Sequence, residues 1–195
     1  MSASPPHGLQ PLLGPNGTPV VGIAGWKKSG KTTLTVRLIA ELTRRGYRLA
    51  TVKHAHHKFQ VDDSEADSAR HRRAGAGQVA VVSPERWALI KELRSEPEPD
   101  FADVIGMLEP CDLIIVEGYK SAPIPKIEAR RTASFTRKPI APTDPLVFAI
   151  AADHPTDAGG LPLFALDDIA GMADLMESRL SLRRTPAAAP SVRSE

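Results

Sequence analysis

The run Val20-Val21-Gly22-Ile23-Ala24-Gly25-Trp26-Lys27-Lys28-Ser29-Gly30-Lys31-Thr32 passes from a short apolar segment into a basic loop bounded by glycines. Its last eight residues match G-x-x-x-x-G-K-[ST] at every fixed position, the spacing of a phosphate-binding loop. Gly25 and Gly30 let the backbone curl without Cβ clashes, so that successive N–H groups face phosphate oxygens. Lys31 brings a positive charge to the β- and γ-phosphates. The Thr32 hydroxyl is a hard oxygen suited to Mg²⁺, and the helix opening here adds the positive end of its dipole. Lys27 and Lys28 either add charge beside the phosphates or stand in solvent, and Trp26 reads as packing on a neighbouring strand. Chance would place this spacing in about one chain of this length in a hundred. A strand before it and a helix after it make coincidence rarer still. The chemistry implied is the binding of a nucleoside triphosphate with magnesium.

Outward from the loop, short apolar runs alternate with longer periodic segments, the pattern of an α/β fold with a mostly parallel sheet flanked by helices. The helix after the loop is predicted over Thr32–Arg45. Leu34, Leu38 and Leu42 form one apolar stripe, and Gly46 ends it. Further strands are expected at Leu49–Lys53, Gln78–Val82, Asp112–Val116 and Val147–Ala151, with a weaker one at Lys126–Ala129 and a short edge strand near Leu161–Phe164. Helices are expected at Asp67–Ala74, Arg86–Leu93, Phe101–Leu108 and Ile169–Leu180. Residues 1–18, rich in Pro and Gly, read as a flexible leader and residues 181–195 as a flexible tail, leaving 19–180 as one phosphate-loop domain.

The 25 basic residues against 23 acidic ones give no excess of the kind that nucleic-acid-binding domains carry. The single cysteine, Cys111, excludes an intrachain disulfide. Neither a secretory signal nor an apolar run of membrane-spanning length is present, so the expected location is cytoplasmic.

Two further segments carry chemistry. Asp112-Leu113-Ile114-Ile115-Val116-Glu117-Gly118 is an apolar strand that delivers Glu117 to the crevice at the C-terminal edge of a parallel sheet. There it would lie near the magnesium, or orient a water or second substrate. Lys53-His54-Ala55-His56-His57 follows the second strand, with His54 and His56 on one face if the strand continues. These imidazoles suit an anionic ligand, and they also suit a transition metal.

The loop, the segment Lys53 to Phe59, Asp62, Asp67-Ser68, Arg72 to Ala76, Val116-Glu117-Gly118-Tyr119-Lys120 and Pro123-Ile124-Pro125-Lys126-Ile127-Glu128 occur in an order that resembles the MobB family, the molybdopterin-guanine dinucleotide biosynthesis adaptors. The resemblance covers roughly Val20 to Asp168. It implies a homodimeric GTP-binding protein with at most slow GTP hydrolysis, acting beside the guanylyltransferase MobA, which attaches GMP to molybdopterin. It also brings molybdopterin in as a candidate ligand. By that resemblance Gly30, Lys31, Thr32 and the neighbouring Ser29 and Thr33 hold the phosphates, and Glu117 lies near the metal. Two departures from it stand out: Glu65-Ala66 stands where members often carry Gly-Lys. Trp26 follows the first glycine, where the deviant loop of dimeric ATPases has lysine.

The Asn-Lys-x-Asp guanine motif is absent. Asp153, after the strand Val147–Ala151, is placed where a carboxylate would accept the guanine N1–H and N2–H bonds. With no assignable general base or arginine finger, fast hydrolysis is not expected. Two alternatives use the same loop. A metallochaperone GTPase would carry metal on the histidines, and a small-molecule kinase would draw its lid from Arg70, Arg72, Arg73, Arg130 and Arg131.

Overall fold

A computed structural model describes residues 12–55, 59, 61 and 66–184. The elements in chain order begin with β1 (Val20–Ala24), α1 (Lys31–Arg44), β2 (Leu49–Lys53), α2 (Asp67–Arg73), β3 (Gln78–Val82) and β4 (Trp87–Lys91). They continue with α3 (Phe101–Gly106), β5 (Leu113–Glu117), β6 (Lys126–Arg130), β7 (Val147–Ala152), β8 (Leu163–Ala165) and α4 (Ile169–Arg179). Two compact units result, one from the described residues of Met1–His54 and Phe101–Glu195, the other from those of Ala55–Asp100.

The larger unit is built on a six-stranded sheet in the order β2-β5-β1-β6-β7-β8, in which each neighbouring pair is parallel. β1, β5 and β7 are buried along their whole length, as expected of parallel strands covered on both faces. On one face, Leu34, Leu38 and Leu42 of α1 pack with Val21, Ile23 and Ile115 of the sheet and with Met172, Ala173 and Met176 of α4. Burying each such leucine contributes about 1.5–3 kcal/mol. On the other face, Val20, Ile114 and Val116 meet Ile105 of α3 and the segment carrying Ala122 and Ile124.

The strand order makes the site. After β1 the chain crosses over β5 to place β2, and after β5 it crosses β1 to place β6. The loop after β1 is therefore flanked by the ends of β5 and β6, at a switch point where open α/β sheets bind ligands. Arg45, at the end of α1, ties α1 to α4: its guanidinium reaches Glu41 at 2.8 Å, Asp174 at 2.5 Å and Glu177 at 3.2 Å.

In the smaller unit, β3 and β4 form an antiparallel hairpin closed by Ser83–Arg86, where Ser83 N donates to Arg86 O at 2.9 Å. The helix expected at Arg86–Leu93 is thus a strand. Trp87-Ala88-Leu89-Ile90-Lys91 is too short to show a helical period, and its apolar residues serve either structure. Cross-strand pairing with Gln78–Val82 selects the extended form. The other elements stand within a few residues of their expected places. No helix among the described residues is long and apolar enough to cross a membrane.

Candidate functional site

Gly25 sits at φ +149°, and a Cβ there would lie 2.3 Å from Ser29 Oγ and 2.6 Å from the Ala129 carbonyl. Only glycine allows this approach of the loop to β6. Gly30, at φ +86°, is the N-cap of α1 in the left-handed region, and no side chain caps the helix. Ser29 is buried, and its hydroxyl has no hydrogen-bond partner among the described residues. Lys27, Lys28 and Thr33 are exposed along the loop and the first turn of the helix. Lys28 Nζ lies 4.6 Å from the Phe135 ring centroid.

Lys31 folds back on the loop, its Nζ donating to the Trp26 carbonyl at 2.8 Å. Partial burial pushes its ammonium below the ordinary lysine value; Glu117 opposes this, while Lys120 and Lys53 add to it. An anionic ligand beside it would favour the charged form.

Thr32 and Glu117, 85 positions apart in the chain, meet at the centre: the threonine hydroxyl donates to Oε1 of the carboxylate at 2.6 Å. Lys53 Nζ lies 3.5 Å from the same oxygen. A hydroxyl and a carboxylate side by side at a helix N-terminus are the hard-oxygen set that Mg²⁺ takes, and a triphosphate fits the partnerless Ser29 hydroxyl, the loop lysines and the uncapped helix. Thr32 and Glu117 would hold the ion, and the ion would supply neutralising charge to the phosphates.

His54 leaves β2 with its N–H on the Glu117 carbonyl at 3.0 Å. Its ring stacks on Tyr119, centroids 4.4 Å apart. Gly118 makes room, since a Cβ there would lie 3.0 Å from His54 Cβ. His56 lies outside the described residues, as do His57 and Asp62. Among the described residues no group of three or more His, Cys, Asp or Glu side chains could hold a metal ion.

Asp153 follows β7 as expected, beside a cleft of about 720 Å³ that Arg37, Phe164 and Leu166 also line. Its Oδ1 accepts from Thr132 N at 2.8 Å and lies 2.9 Å from His154 Nδ1. Desolvation disfavours its charged form, but the hydrogen bonds from His154 and Thr132 outweigh it and hold the carboxyl below its usual value. Arg37 fastens the cleft's far wall through the Leu166 and Asp167 carbonyls, both at 3.3 Å.

Several neighbours of the loop were not legible as such. Lys53 ends β2 within the histidine motif, and its ammonium joins Glu117. Arg131 comes within 3.7 Å of a Cβ placed on Gly30, and its Nε lies 3.5 Å from Asp153 Oδ2. Arg130 is held by Glu128, Thr156 and the Asp157 carbonyl. Within the smaller unit, Arg72 pairs with Glu92. Trp26 packs through its ring nitrogen, which donates to the Lys138 carbonyl at 2.7 Å.

Known proteins match this arrangement. The family model for molybdopterin guanine dinucleotide synthesis protein B covers residues 20–153. The chain is 38% identical over 168 residues to the molybdopterin-guanine dinucleotide biosynthesis adapter protein of Haemophilus influenzae, covering 85% of this chain and 91% of the relative. It is 36% identical over 167 residues to the protein of the same name from Escherichia coli, covering 85% and 95%. A crystal structure of molybdopterin-guanine biosynthesis protein B superposes with a TM-score of 0.63 at 27% identity, over 83% of this chain and 99% of that one. Bacillus subtilis MobB does so at 0.62 and 28%, over 83% and 98%. The phosphate loop, the glutamate at the end of β5 and these similarities together mean that the chain belongs to the MobB family.

Proposed function

We propose that this protein is a GTP-binding adapter in molybdopterin guanine dinucleotide biosynthesis, assisting the attachment of GMP to molybdopterin by a guanylyltransferase of the MobA type. The Thr32–Glu117 hydrogen bond of 2.6 Å carries the nucleotide part of this reading, because it assembles two magnesium ligands beside the loop. In this reading Gly25 to Thr33 wrap the phosphates, Lys31 turns its ammonium toward the β- and γ-phosphates, and Thr32 with Glu117 takes Mg²⁺. The guanine lies in the cleft beside Asp153. His54, stacked on Tyr119, extends the edge of the site beyond Glu117.

Hydrolysis is slow without a partner. Oε1 of Glu117 faces Thr32 and Lys53, an arrangement suited to holding a metal–phosphate group rather than deprotonating water. The adapter works in the cytoplasm as a homodimer. In support of pairing, one face of the hairpin turns Val82, Trp87 and Leu89 to solvent at 75%, 69% and 56% exposure. Two strands alone are marginally stable, and a second copy would cover that face.

The test is nucleotide affinity, GTP against ATP with and without Mg²⁺, together with a pull-down on a molybdopterin guanylyltransferase. Lys31→Ala should weaken GTP at least tenfold, by the usual worth of hydrogen bonds to charged groups. A folded Lys31→Ala protein that retains GTP fully would overturn the nucleotide reading. Failure to retain the guanylyltransferase would overturn the adapter reading.

A further inference from the structure

A second cleft, of about 550 Å³, is bordered by Trp26, the second residue of the phosphate loop. Pro139, Ile140 and Leu146 line it from one segment, Ala122 and Pro123 from another, and the Trp26 ring borders it, so its walls are apolar and include proline and indole rings. Its charges are three lysines against a single aspartate. Lys126 is buried, its Nζ donating to the Ala122 carbonyl at 2.7 Å and pairing with Asp144 at 2.9 Å, so the deep end is neutral. Lys120 and Lys138 remain nearer the solvent. Lys120 Nζ stands 3.7 Å from the Trp26 ring centroid, a cation–π contact that holds the ammonium at the rim. The indole is itself anchored through the Lys138 carbonyl.

We propose that this cleft is a second ligand site, for a planar heteroaromatic molecule carrying a phosphate. The ring enters between the proline and aliphatic walls, and the phosphate pairs with Lys120 and Lys138 at the rim. The volume falls in the range of small-molecule sites, and apolar walls with a few fixed polar groups are their usual composition. Trp26 joins the two sites: its ring borders this cleft, while its carbonyl holds Lys31. Lys120 is also close enough to Lys31 for their charges to interact. A phosphate at Lys120 would therefore sit beside the phosphate loop. Pterin phosphates belong to this ligand class, and their choice as probe rests on the adapter reading, whereas the cleft stands on its own geometry.

Equilibrium dialysis of the full chain with hydroxymethylpterin phosphate, with and without saturating GTP, tests this. Saturable binding that GTP does not displace is expected, persisting in Lys31→Ala. Lys120→Glu with Lys138→Glu should weaken it about tenfold or more, by the loss of charge-assisted bonds, with Lys120→Arg restoring the rim. Circular dichroism and thermal unfolding establish that each variant is folded. Absence of saturable binding overturns the inference, as does displacement by GTP with loss in Lys31→Ala, or equal binding of hydroxymethylpterin lacking the phosphate. Retained GTP with no pterin phosphate bound sinks this site and leaves the nucleotide reading standing; the reverse pattern does the opposite.

Discussion

Thr32 and Glu117 share a 2.6 Å hydrogen bond between the first turn of α1 and the last residue of β5. The hydroxyl spends its proton on the carboxylate, which leaves its lone pairs for a cation. Glu117→Gln keeps the shape and an acceptor but removes the charge. It should lower GTP affinity about tenfold in Mg²⁺ and leave affinity in EDTA nearly unchanged. Isothermal titration in both buffers reads this, and an equal loss in both would show that Glu117 does not act through the metal.

The two loop glycines make contrasting demands. A Cβ on Gly25 would run into Ser29 Oγ and the Ala129 carbonyl, whereas one on Gly30 meets nothing closer than 3.7 Å. Gly30→Ala should cost about 1–2 kcal/mol of left-handed strain. Gly25→Ala adds a clash with backbone and should cost at least about 3 kcal/mol. Chemical denaturation of the two variants gives the comparison; equal losses would contradict the packing described.

Glu41 accepts from both Arg44 and Arg45, and these hydrogen bonds hold its carboxyl at about 2. A folded-state value below the unfolded one means stability that is present above about 4.5 and lost as pH falls through about 2. Glu41→Gln should therefore lower the melting temperature at neutral pH, and the gap to the wild type should close between those pH values. Thermal unfolding along a pH series would show it, and a gap independent of pH would assign the effect to something other than this charge.

Asp153 keeps its place through Thr132 and His154. Asp153→Asn retains an oxygen for Thr132 but exchanges an acceptor for a donor at the second position. If the carboxylate reads guanine, the preference for GTP over ATP should fall about tenfold or more, with ATP affinity unaffected or improved. Competition binding of the two nucleotides measures it, and an unchanged preference would remove Asp153 from base selection.

Much of this molecule follows from contiguous residues. The phosphate loop is legible because its requirements are local: two glycines where the backbone curls, a lysine, and a hydroxyl on the next residue. The apolar runs of β1, β5 and β7 are legible because strands buried on both faces admit little else. The helix expected at Arg86–Leu93 gives way to the hairpin strand Trp87–Lys91, because so short a run carries no period and pairing with β3 selects the extended form.

The meeting of Thr32 with Glu117 and Lys53, the approach of Arg131 to Gly30, and the stacking of His54 on Tyr119 belong to the tertiary structure. Each joins segments far apart in the chain, and each depends on which strands become neighbours. Residue patterns set what a segment can become through sterics and hydrogen bonding within a few positions. Strand order is selected by burial of the whole sheet, so the partners of Glu117 emerge only when β5 lies between β1 and β2.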